Sequence, residues 1–202
     1  MCPRASVRAD VTARLTRGRA AASVPVMYPV LRLFLTLHHA RRAAPLGLHD
    51  TDAFDLTCRP WDADMFVEMN NGRILTLYDL GRFHLSVRIG LWDRLKENDW
   101  GLVVAGSSVR YRQRIRPFQR FRMKTRFLGW DQRFFYLEQG MYRGETCCNH
   151  ALLRTGVTEK GRLAPVEKVA QAMGVSPDPP ALPDWVRAWA EADATRPWPP
   201  GL

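Results

Sequence analysis

An α+β fold, with one long helix laid on a largely antiparallel sheet, is the class this sequence predicts, on three observations. A helical apolar pattern runs from Asn71 to about Leu95. After Asn98 the hydrophobic period falls to 2 and stays there to about Val157. The breaks within that second region are short, which favours antiparallel neighbours. A chain of 202 residues that is 46% hydrophobic is long and apolar enough to build one substantial core.

Taken in order, residues 1–26 read as a disordered Arg-rich extension: Arg4, Arg8, Arg14, Arg17 and Arg19 stand against the single Asp10 in an Ala- and Ser-rich setting. Met27 precedes the first good apolar run and is a candidate true start; a transit or export leader is the competing reading. The run Val24–Leu37 is too short to span a bilayer and carries Arg32, with Arg41 and Arg42 behind it rather than a cleavage site. It reads as an amphipathic helix whose stripe, Leu31, Phe34, Leu35 and His38, docks on the protein's own body, with a surface anchor as the alternative. No transmembrane segment is expected. Residues 27–173 then form the folded domain.

Phe54–Pro60 is a short strand ended by proline. It delivers the chain into Trp61–Asn71, which opens the long helix. In that helix Ile74, Leu77, Tyr78, Gly81 and Leu85 make one apolar stripe, and Leu80, Phe83, Val87 and Leu91 a second. So wide an apolar arc marks a buried helix, and Gly81 inside it marks close approach of another backbone. Four strands follow, Val103–Arg116, Gln119–Gly129, Phe134–Arg143 and Thr146–Val157, separated by turns at Pro117, Trp130–Gln132 and Gly144. A short helix near Val166–Met173 closes the domain. Residues 174–202 form a Pro- and Trp-rich tail with a helix from Asp184 through Trp189; Trp185, Trp189 and Trp198 are expected to cover the core or a neighbouring subunit.

The net charge of +10 points to an anionic partner, and its distribution narrows the choice. Arg110, Arg112, Arg114 and Arg116, then Arg120, Arg122, Lys124 and Arg126, all stand at even positions of two strands taken as neighbours, which puts them on one face. Tyr111, Ile115, Phe121, Met123 and Phe127 supply the core face. The basic row is either a solvated surface or, through a few members, a phosphate site, since guanidinium forks match phosphate oxygens. Nucleic-acid binding is not expected, because the aromatics lie on the opposite face from the charges. Cys2, Cys58, Cys147 and Cys148 lack metal-ligand spacing, so no metal is expected and a reducing, cytoplasmic setting fits. There is no Gly-rich phosphate loop, dinucleotide fingerprint or nucleophile elbow, and no cofactor is expected.

The chemistry-bearing stretch is therefore Asp62, Asp64, Glu68, Asn70 and Asn71. Acids and amides at a helix start can simply cap it. They can also place a carboxylate in a cleft, tuned for acyl chemistry. Asp62-Ala63-Asp64 followed by Met69-Asn70-Asn71-Gly72-Arg73 and a long helix, then strands carrying Val109-Arg110-Tyr111-Arg112 and Pro117-Phe118-Gln119-Arg120, resembles the hotdog-fold acyl-CoA thioesterases of the 4-hydroxybenzoyl-CoA thioesterase type, over about Tyr28 to Met173. The resemblance implies a hotdog fold with a long central helix wrapped by the sheet, an acyl-CoA substrate and an obligate homodimer with its site at the subunit interface. It makes Asp64 the catalytic carboxylate. Asp62, Asn70 and Asn71 then position the loop, and Arg110, Arg112, Arg114, Arg120 and Arg122 are candidates for the CoA phosphates. Where many relatives carry His, this chain has Glu68, which as a carboxylate donates no hydrogen bond. Either Glu68 serves as base, or turnover is weakened and the domain is a hotdog module that binds acyl groups or a protein partner.

Overall fold

A computed structural model describes residues 29–201. The extension expected over residues 1–26 lies outside the described residues. The chain runs α1 (Val30–Arg42), β1 (Thr51–Thr57), one 3-10 turn (Pro60–Asp62), α2 (Asn71–Arg88), α3 (Leu91–Glu97), β2 (Trp100–Tyr111), β3 (Arg120–Trp130), β4 (Phe135–Arg143), β5 (Thr146–Glu159), β6 (Arg162–Leu163), α4 (Val166–Ala172) and α5 (Asp184–Ala194). The sheet is antiparallel, in the order β1-β3-β4-β5-β2, with β6 added on β5.

The α+β arrangement is the one expected. Ile74, Leu77, Tyr78 and Leu80 of α2 pack on Phe121, Met123, Met141, Cys148, Ala151 and Leu153 of the sheet, and this is the main core. Alternation along β3 buries Phe121, Met123 and Phe127 as the period-2 reading requires. Two polar links fix the helix on the sheet: the buried Tyr78 hydroxyl donates to Asn149, and Gln139 Nε2 donates to the Tyr78 carbonyl and to Thr125 at 3.0 Å each. Gly81 lies over this network. A Cβ there would stand 2.5 Å from Gln139 Nε2 and 2.7 Å from Thr125 Oγ1, so the glycine accommodates side chains rather than the backbone expected from the sequence.

Three further expectations are corrected. The long helix stops at Arg88, because Gly90 takes a left-handed conformation (φ +79°) and starts the separate α3. β2 and β3, consecutive in sequence, are not neighbours. β2 pairs with β5 at one edge of the sheet, and residues 112–119 cross to β3, tied down by bonds from Met69 N–H to the Ile115 carbonyl and from Cys58 N–H to the Gln119 carbonyl. The α1 stripe faces outward: Leu31, Phe34, Leu35 and His38 are exposed, while Leu33, Thr36 and Ala40 turn inward. The tail helix packs on the sheet. Val186 of α5 is fully buried against Tyr136 and Leu152 on the opposite sheet face from α2, with Trp189 beside it; Trp198 stays exposed.

Candidate active site

β1 ends at Thr57, and Cys58 turns the chain inward, where burial above all pushes its thiol up to about 11. The 3-10 turn then places Asp62 in the interior. Asp62 Oδ2 accepts from the Arg59 N–H and from Arg32 Nη2, both at 2.8 Å, and Oδ1 lies 3.3 Å from Arg73 Nε. With 1% of its side chain exposed, Asp62 is a structural anchor. Two guanidinium groups and an amide compensate its charge there.

From this anchor the chain forms a small closed loop. Ala63 bridges Met69, Asp64 N–H donates to the Glu68 carbonyl at 2.9 Å, and Val67 N–H returns to the Asp64 carbonyl at 3.1 Å. Val67 sits at φ +58°, a left-handed conformation that a β-branched residue adopts only under constraint. The tip, Met65, Phe66 and Val67, is exposed hydrocarbon. Asp64 is half-buried beneath it. Its Oδ1 accepts from the Phe66 N–H at 2.8 Å, and Oδ2 has no partner among the described residues.

Asn70 caps α2, its Oδ1 accepting from the N–H groups of Gly72 (2.9 Å) and Arg73 (3.3 Å). The capping reading is thus correct for Asn70, and it consumes two of the first-turn donors. The Asn71 N–H remains without a partner among the described residues. Glu68 pairs with the segment that crosses from β2 to β3. Its Oε2 lies 2.7 Å from Arg114 Nε in an ion pair.

The structure divides the arginines that the even-numbered row put together. Arg110 sits at the end of β2, where Ser108, Glu138, His150, Trp185 and Trp189 line the same recess. Arg112 and Arg114 lie beyond the strand, in the crossing segment. Arg120 and Arg122 are on β3 beside Asp55 of β1, with Arg122 bonded to both carboxylate oxygens (2.9 and 3.2 Å) and Arg120 at 3.6 Å. Arg122 also holds the Asp55 carboxyl below its ordinary range.

Polar groups around the loop that the sequence reading left unassigned come chiefly from α1 and α2. Arg32 inside an apolar run was their one sequence signal. Among the described residues no cluster of three or more His, Cys, Asp or Glu is arranged to hold a metal, and no helix is long and apolar enough to cross a membrane.

A model of the thioesterase-like superfamily matches residues 58–190, from Cys58 at the loop's entrance into α5. Protein THEM6 of Drosophila melanogaster is 38% identical over 91 residues, which cover 45% of this chain and 47% of that protein. The chain thus spans about half the length, or less, of the curated relatives it matches. Among solved structures, a probable thioesterase from Bartonella henselae aligns over 57% of this chain and 98% of its own, with a TM-score of 0.53 at 17% identity. A 1,4-dihydroxy-2-naphthoyl-CoA thioesterase from Synechocystis aligns over 61% of this chain and 95% of its own, with a TM-score of 0.52 at 12% identity. At such identities these two likenesses establish the fold.

Proposed function

The chain belongs to the thioesterase-like superfamily and has the hotdog fold, and from that premise we propose that it hydrolyses an acyl-CoA thioester to the free acid and CoA. The observation that carries this reading is the division of labour between the two aspartates. Asp62 is buried and neutralised, whereas Asp64, two residues on, keeps one carboxylate oxygen uncommitted at the mouth of the loop.

In this mechanism Asp64 takes a proton from water as the water oxygen attacks the thioester carbonyl. The carbonyl oxygen gains charge facing the start of α2, where the Asn71 N–H supplies a donor and the helix dipole a favourable field. Collapse breaks the C–S bond, and the departing thiolate takes up a proton. Met65, Phe66 and Val67 offer hydrocarbon to the acyl chain. Asn70 and Asn71 hold the helix start, and the CoA phosphates meet arginines on one of the two sides the structure separates, Arg110, Arg112 and Arg114 or Arg120 and Arg122.

The homodimer belongs to the same proposal. β2 is an edge strand whose Leu102, Val103 and Val104 are exposed, and an isologous pairing of two such edges would cover them. Sedimentation of the full chain tests this, with a monomer as the adverse result.

The test of the activity is thiol release from short, long and aromatic acyl-CoAs. Asp64→Asn is expected to lower the rate by about 100-fold or more. An unchanged rate removes the assignment. The Glu68–Arg114 ion pair favours a second reading, a hotdog module that binds acyl-CoA without turnover, because it occupies the carboxylate that would otherwise serve as an alternative base. Saturable binding with no thiol release selects that reading.

A further inference from the structure

β1 is the edge strand opposite β2, and among the described residues it pairs with β3 alone. Just past its end, Cys58 N–H donates to the Gln119 carbonyl at 3.0 Å, and the Cys58 carbonyl accepts from the Phe118 N–H at 2.7 Å. Cys58 thus turns both main-chain groups toward β3. In an antiparallel ladder that direction alternates from residue to residue. Leu56, Phe54 and Asp52 therefore bond to β3, while Thr57, Asp55 and Ala53 turn their main-chain groups outward. The Thr57 carbonyl fits this phase, since Arg32 Nη2 reaches it from α1 at 3.2 Å. The N–H and carbonyl groups of Ala53 and Asp55 have no partner among the described residues.

This free edge lies along an open groove of about 700 Å³. Leu35, Thr36 and His39 of α1 line it on the α2 side of the sheet, and Arg120 and Arg122 of β3 line it on the opposite face. The walls are fixed relative to each other through the interior. Asp52 Oδ2 of β1 lies 2.6 Å from Nδ1 of the buried His84 on α2, and His84 Nε2 lies 3.0 Å from Nδ1 of His39 on α1. The groove is strongly basic. Arg32, Arg59, Arg120 and Arg122 line it against the single carboxylate of Asp55, with Asp62 behind Arg32. Asp55 already gives both oxygens to Arg122, and Arg120 and Arg122 stay more than half exposed.

An extended peptide laid antiparallel to β1 meets all of these features together. Its main chain, about 4.8 Å away, exchanges bonds with Ala53 and Asp55. The peptide residues that make those bonds carry their side chains on the same face as Ala53 and Asp55, which is the face of Arg120 and Arg122. Carboxylates are favoured there. The intervening side chains point to the α1 side, where Leu35, Phe54 and Leu56 offer hydrocarbon. A second copy of this chain is excluded from the place, because its own β1 would bring Arg120 and Arg122 against the same charges.

We infer that the β1 edge is a docking site for an acidic segment of another protein, which binds as an added β-strand with carboxylate and apolar side chains alternating. The site is independent of the proposed hydrolysis and stands or falls without it.

Fluorescence anisotropy of the full chain with an end-blocked, labelled peptide in which Glu and Val alternate tests the inference. Saturable binding is expected, and Arg120→Glu with Arg122→Glu should weaken it at least about 10-fold. The peptide with Lys in place of Glu should not bind. N-methylation separates strand addition from loose ion pairing. Methylating the Glu amides, which face β1, should abolish binding, whereas methylating the Val amides should leave it within about threefold. Ala53→Pro removes an outward N–H and none that β3 uses, so it should weaken binding at least about 10-fold with little change in melting temperature. Absence of binding, an affinity indifferent to the arginine variants, or equal loss from methylating either set of amides overturns the site.

Discussion

Arg32 of α1 reaches across to Asp62, 30 residues on, and meets its Oδ2 at 2.8 Å inside the protein. The pair joins α1 to the base of the Asp64 loop. Asp62→Asn keeps the shape and removes the charge, leaving Arg32 and Arg73 facing a neutral amide. Breaking a buried pair from one side costs about 3–5 kcal/mol; Arg32 and Arg73 both retain some solvent contact, so a loss of about 2–3 kcal/mol is expected in urea denaturation. Asp64→Asn, by contrast, should leave the urea midpoint nearly unmoved.

Glu68 pairs with an Arg114 side chain that is largely in solvent. Such pairs contribute less than about 1 kcal/mol. Glu68→Gln should therefore change stability little, and thiol release should stay within about threefold if Asp64 is the working base. A much larger drop would assign the base role to Glu68. Glu68→His places a donor where the family resemblance implies one, and a rise in rate would show that the site lacks it.

Gly81→Ala is expected to destabilise by about 1–3 kcal/mol, the usual cost of overpacking. The added methyl meets Gln139 and Thr125, whose bonds to each other and to the Tyr78 carbonyl would have to loosen. Amide exchange should speed up first around Tyr78.

Glu138 sits between His150 (2.9 Å) and Arg126 (2.6 Å), and those partners, His150 first, hold its carboxyl down to about 2. A depressed folded-state value means that its stabilising contribution is present above the ordinary Glu range and is lost as the pH falls from about 4.5 towards 2. Glu138→Gln should flatten the stability profile in that window, read as the shift in melting temperature between pH 5 and pH 2.5.

Much of the fold was legible because the apolar pattern of α2 is helical and that of β3 alternates from Arg120 to Phe127, while β4 and β5 are buried on both faces over much of their length. Strand order was not. Short breaks implied that β2 adjoins β3, but whether eight residues turn back or cross the sheet is decided by partners elsewhere, here Met69 and Cys58. The outward stripe on α1 failed for a related reason: apolar spacing locates a face without saying what it meets. In the loop, capping by Asn70 was readable from residue type and place. The separation of Asp62 from Asp64 was not, since it depends on Arg32 and Arg73 arriving from two helices. The Asp52–His84–His39 chain joins three elements spread over 46 residues and leaves no local trace.

The two rims of the sheet differ in kind. One is β1, with Asp52, Asp55 and the paired arginines along it; the other is β2, with Leu102, Val103 and Val104. A molecule with one hydrocarbon rim and one ionic rim has a valence of one for copies of itself. If two copies join along β2, as proposed, each turns its charged β1 rim outward, and growth of the sheet would end at the pair.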